Sequence, residues 1–64
     1  MLFQAIRDFA EQHGLDEFTV ADLQPILAHS PSFLSKHRVG NPGGYTPYFI
    51  RVARGRYIIN PAYL

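Results

Sequence analysis

Apolar and polar residues alternate along the stretch from Tyr48 to Asn60, Tyr-Phe-Ile-Arg-Val-Ala-Arg-Gly-Arg-Tyr-Ile-Ile-Asn. Its β-branched and aromatic residues favour strands, and Gly55 accepts the positive φ of a tight reversal. The pattern therefore predicts a hairpin folded about Arg54-Gly55. Alternation puts Tyr48, Ile50 and Val52 on one face and Phe49, Arg51 and Ala53 on the other. In the return strand Tyr57 and Ile59 oppose the first set, and Arg56, Ile58 and Asn60 point away. The inward face is thus read as Tyr48, Ile50, Val52, Tyr57 and Ile59. A two-stranded hairpin is marginal in water, so the remaining chain has to cover that face.

Upstream the apolar spacing becomes helical. Leu2, Phe3, Ile6, Phe9 and Ala10 form one stripe between residues 2 and 13, with Arg7, Asp8, Glu11 and Gln12 opposite and Gly14 in the place of a C-terminal cap. Phe18-Thr19-Val20-Ala21-Asp22-Leu23 has the form of a helix start. Thr19 is the N-cap, Asp22 the reciprocal partner three residues on, and Phe18 staples onto Leu23. A second helix is expected from about Val20 to Ala28. Pro25 conflicts with it, because it deletes a backbone donor beyond the first turn. In the alternative, Asp22 is the N-cap with Pro25 in the first turn, Glu17 to Val20 is extended, and Phe18 to Val20 can pair with the hairpin as a third strand.

Ser30-Pro31 signals another start, with serine as N-cap and proline at the first helical position, giving a short helix from Pro31 to Arg38. Gly40-Asn41-Pro42-Gly43-Gly44 then breaks regular structure. It lacks the preceding strand and following lysine of a phosphate-binding loop and is read as a plain loop. Pro47 precedes the first strand, where a missing donor does little harm, and Asn60-Pro61 ends the second.

Length and charge narrow the function. A 64-residue chain is one small domain, which buries only about 60% of its unfolded surface, so a deep enzyme cleft is not expected. There is no cysteine to build a disulfide or a thiolate zinc site. The first 22 residues hold five acids (Asp8, Glu11, Asp16, Glu17, Asp22) against Arg7 alone, a charge of −4. The remaining 42 hold Lys36, Arg38, Arg51, Arg54 and Arg56 and no acid, a charge of +5. No apolar run approaches the ~20 residues of a membrane span, and Met1-Leu2-Phe3 leads into Gln4 and Arg7, so a cytoplasmic protein without a signal peptide is expected.

Helix, helix, short turn, helix, glycine-rich loop and basic hairpin make an order that resembles the winged helix-turn-helix superfamily. The resemblance is carried by Phe18-Thr19-Val20-Ala21-Asp22-Leu23, by Ser30-Pro31-Ser32-Phe33-Leu34-Ser35-Lys36 in the recognition-helix slot, and by Val52-Ala53-Arg54-Gly55-Arg56-Tyr57 at the wing. The last motif is similar to the winged-helix modules attached to some restriction endonucleases and mobile-element proteins. The resemblance implies an α+β fold of three helices with a C-terminal two- or three-stranded antiparallel β-hairpin as wing, and duplex DNA binding by a transcription regulator or DNA-reading module. It places Ser32, Ser35, Lys36 and Arg38 as helix contacts, Arg54 and Arg56 as wing contacts, and Arg51 on the backbone.

The residue chemistry points the same way. Lysine and arginine neutralise phosphates, serine hydroxyls donate to phosphate oxygens, and a helix N-terminus at Ser30 would favour an anion. Arginines on a hairpin also discourage edge-to-edge aggregation, which is the plainer reading of each taken singly. Tyr48 and Phe49 are read as core rather than as base-stacking residues. His13, His29 and His37 lack metal-ligand spacing, and Ser, His and Asp show no nucleophilic arrangement, so neither enzyme activity nor a cofactor is expected. The alternative function is a protein-interaction module of winged-helix shape, such as a phage-type inhibitor of a bacterial defence complex. It is motivated by the low net charge of +1 and the acidic first helix. A homodimer through Leu2, Phe3 or Tyr63-Leu64 is compatible with either.

Overall fold

The computed structural model describes residues 1–64. Helix α1 spans Leu2–Gln12 and buries Phe3, Ile6 and Ala10, the helical stripe expected of it. It ends as its glycine demands. Gly14 takes φ +63°, its N–H donates to the Glu11 carbonyl at 3.3 Å, and the Leu15 N–H donates to the Ala10 carbonyl at 2.8 Å. These two bonds satisfy carbonyls that a helix end leaves free.

The two further helices are corrected. The reciprocal cap is made, since Thr19 N–H donates to Asp22 Oδ2 at 2.9 Å and Asp22 N–H to Thr19 Oγ1 at 3.1 Å. Beyond the cap, residues 20–29 form a run of turns with no regular helix. Leu23, Gln24 and Ile26 donate three residues back, to Val20, Ala21 and Leu23. Pro25 has no N–H to continue the ladder, so the helical start does not propagate. The predicted Pro31–Arg38 helix shrinks to α2, Phe33–Lys36, because residues 37–39 leave it to pair with the hairpin. Phe49 N–H donates to the His37 carbonyl at 3.0 Å and Val39 N–H to the Phe49 carbonyl at 2.8 Å. The three-helix winged helix-turn-helix is therefore not what this chain forms. It has one long helix, one four-residue helix and a two-stranded antiparallel sheet.

The hairpin stands where expected, with β1 at Phe49–Ala53 and β2 at Arg56–Ile59. Phe49 pairs with Ile59, Ile50 with Ile58 and Arg51 with Tyr57, before a bulge between Arg51 and Ala53. Gly55 turns the chain at φ +72°. The expected inner face is inverted in β1. Phe49 is fully buried while Val52 is 44% exposed, and Phe49, Tyr57 and Ile59 make the inward set. A third strand is reduced to one antiparallel bridge, Phe18 with Tyr57, whose two N–H···O bonds measure 3.0 and 2.9 Å.

The core is Phe3, Ile6, Ala10, Phe18, Leu23, Leu27, Leu34, Phe49 and Tyr57, drawn from both helices, both strands and the turns over residues 18–27. Tyr48 lies flat on Phe3, centroids 4.2 Å apart and planes 7° from parallel. Asn60 closes the open end of the hairpin: its Nδ2 donates to the Pro47 carbonyl at 2.9 Å, and its Oδ1 accepts from Ala62 N–H at 3.1 Å. That bond starts the single 3-10 turn Pro61–Tyr63, which docks Tyr63 edge-on against Tyr48 and Phe3. Phe3 and Tyr63, two of the suggested dimer contacts, are thus occupied within the chain, whereas Leu64 is 80% exposed.

Candidate nucleic-acid interface

The expected basic residues fall into two places. The first is the hairpin turn. Arg54 and Arg56 flank Gly55 and are exposed. Arg51 is also exposed but turns back along its own strand, its Nε donating to the Ala53 carbonyl at 3.3 Å across the bulge. Pairing sets Arg51 opposite Tyr57, and Arg56 is the next residue along β2, so their side chains leave opposite faces of the sheet. The three arginines therefore surround the tip and do not form a single flat patch.

The second place is α2 and the loop behind it. Lys36 is exposed and its ammonium stands 5.9 Å from the centre of the Tyr45 ring. Arg38 is half-buried, bridges β1 at Phe49, and donates from a terminal nitrogen to the Val39 carbonyl at 3.3 Å. The two serines fit the expectation less well. Ser35 Oγ donates inward to the Ser32 carbonyl at 3.1 Å, which uses its only hydroxyl proton, and Ser32 opens α2 without capping it. Four residues make too short a helix to offer the N-terminal dipole expected at Ser30. Arg38 links the two places, since it lies beside the start of β1 and Arg54 follows the end of β1, about 16 Å of strand away.

Three residues outside the expected set of helix and wing contacts shape this second place. Asn41 ties the loop to α2, donating from Nδ2 to the Ser35 carbonyl at 2.9 Å and accepting from Gly43 N–H at 2.8 Å. His37 Nδ1 lies 2.9 Å from the Thr46 carbonyl, and because a carbonyl only accepts, that nitrogen carries a proton. The His37 ring is packed against Phe33 at 4.3 Å, Tyr45 at 5.2 Å and Tyr48 at 5.4 Å. Tyr45 is 46% exposed, the highest exposure among the large aromatic side chains. Its signal in the sequence was an aromatic residue directly after Gly43-Gly44, in a stretch without acids.

The acids lie elsewhere. An open cleft of about 550 Å³ between the C-terminal half of α1 and the end of the chain is edged by Asp8, Glu11 and Asp16, with Arg7 the one base among them, over Ala10, Leu15 and Ile59. No group of three or more His, Cys, Asp or Glu side chains converges as a metal site would require. No helix is long and apolar enough to cross a membrane. Set against known proteins, the chain matches no family model, no curated protein and no solved structure at a significant level.

Proposed function

We propose that this chain is a small nucleic-acid-binding module that meets the phosphate backbone with its acid-free half, serving as a regulator or as the reading part of a larger system. The observation that supports this best is the separation of charge: every acid precedes residue 23, while Arg54 and Arg56 are exposed on either side of Gly55. Lys36, Arg38 and Arg51 extend the same sign along the hairpin and its flank. Cations spread over about 16 Å of strand suit a polyanion, and contacts of this kind set register without reading sequence. The proposal assigns no catalysis and takes the cytoplasm as the place of action.

Binding measured by fluorescence anisotropy at several salt concentrations tests it. Each phosphate contact on duplex DNA steepens the plot of log affinity against log salt by about 0.9, so Arg54→Ala with Arg56→Ala should flatten it by about 1.8. Unchanged affinity and slope would remove the hairpin from the interface. A protein-interaction module remains the second reading, favoured by the acid-edged cleft beside α1. A stoichiometric protein partner recovered with no nucleic acid bound would replace the first reading with the second.

A further inference from the structure

We propose that the Tyr45 ring is a stacking platform for one unpaired base of a single-stranded nucleic acid, with the Lys36 ammonium, which lies over the ring, for the adjoining phosphate. The inference rests on the nucleic-acid reading and adds to it the form of nucleic acid that is bound.

Of the nine Phe and Tyr side chains, eight are buried or half-buried and Tyr45 alone is exposed. A solitary exposed aromatic is ordinary when it waves on a free loop, but this one is seated. Asn41 fastens the loop to α2 through Nδ2 and holds Gly43 within the loop through Oδ1, and the His37 ring supports Tyr45 from 5.2 Å. Gly43 completes the seat: a Cβ there would lie 2.7 Å from Tyr45 Cε2, so only glycine leaves the ring where it is. A ring held in place before binding loses little freedom on contact, which favours stacking. Lys36 at 5.9 Å from the ring centre supplies a cation within reach of the backbone next to a stacked base.

A duplex does not suit this arrangement. Its base faces are already stacked, and the four residues of α2 give little length to insert in a groove. Aromatic faces flanked by cations are how proteins hold unpaired bases, and the contact tolerates any base because each has a π face.

The test measures affinity for a labelled oligothymidine and for a duplex of equal length, using wild type, Tyr45→Phe, Tyr45→Leu and the Arg54→Ala/Arg56→Ala double variant. Leucine keeps apolar bulk without a π face, and phenylalanine keeps the face without the hydroxyl, so the pair separates stacking from packing. Tyr45→Leu should weaken oligothymidine binding roughly 5- to 100-fold and change duplex binding less than about twofold. Tyr45→Phe should stay within about twofold of wild type for both. Wild-type binding of oligothymidine that Tyr45→Leu leaves unchanged would overturn the platform, and so would binding to the duplex alone. In both cases continued sensitivity to the double arginine variant would leave the broader nucleic-acid reading standing. No binding to either probe would remove both.

Discussion

Phe49 offers the sharpest check on the fold, because alternation read from the sequence turns it outward and the structure turns it in. The perturbations are Phe49→Ala, Phe49→Leu and Val52→Ala. The Phe49 ring is fully buried and meets four others edge-on, Phe3 at 5.7 Å, Phe33 at 5.9 Å, Phe18 at 6.0 Å and Tyr48 at 6.2 Å. Truncating a buried phenylalanine to alanine costs about 3–5 kcal/mol. A chain of this length has a total stability of about 3–10 kcal/mol, so Phe49→Ala should remove from about a third to all of it. Leucine retains most of the volume but forfeits the edge contacts, at a cost of about 1–2 kcal/mol. Val52 is 44% exposed beside the bulge, and its truncation should cost less than about 0.5 kcal/mol. Urea unfolding followed by circular dichroism reads all three, and Phe49→Leu should lower the midpoint by about 1 M. If Val52→Ala proves more damaging than Phe49→Leu, the inward face is not the one that carries Phe49.

Two more changes test what the fold rests on. Asn60→Ala removes the bonds to Pro47 and Ala62 together and should cost about 2 kcal/mol, seen as a fall in thermal midpoint of about 8–16 °C; an unchanged midpoint would refute the clamp. Pro25→Ala restores the donor missing after the Thr19–Asp22 cap and should add helical signal to the far-ultraviolet circular dichroism spectrum. A spectrum identical to wild type would show that something other than Pro25 stops that helix.

How legible each part was in the sequence depends on how local its cause is. The first helix and its cap are written in a five-residue stripe and one glycine, and both form. The hairpin limits are likewise local, set by alternation and Arg54-Gly55. Its inner face was misread because Tyr48 looks like the first strand residue. It lies just before β1 and is half-buried by stacking on Phe3, so its burial does not share the phase of the sheet. The third helix was overestimated for a non-local reason: residues 37–39 make bonds to Phe49, ten to twelve positions on, and nothing between Pro31 and Arg38 announces that competition. Pro25 did announce a conflict, and the turns over 20–29 are its outcome. In the candidate site, the basic tip was readable from charge alone. The seat of Tyr45 was not, because it depends on Asn41, His37 and Gly43 meeting in space.

The bridge between Phe18 and Tyr57 also bears on how the molecule reaches its native state. Closing it joins positions 39 apart, against 11 for the bridge between Arg38 and Phe49. Chain-closure entropy rises with the logarithm of that separation, so the longer closure costs roughly 1 kcal/mol more. The hairpin and the 37–39 contact can assemble among neighbours, on a timescale of about microseconds for the hairpin itself. Phe18 has to be brought from the far part of the chain and buried before the core is shut. The order of assembly should therefore run from the C-terminal half toward the N-terminal half, with α1 and Phe18 arriving last on a basic half already in shape.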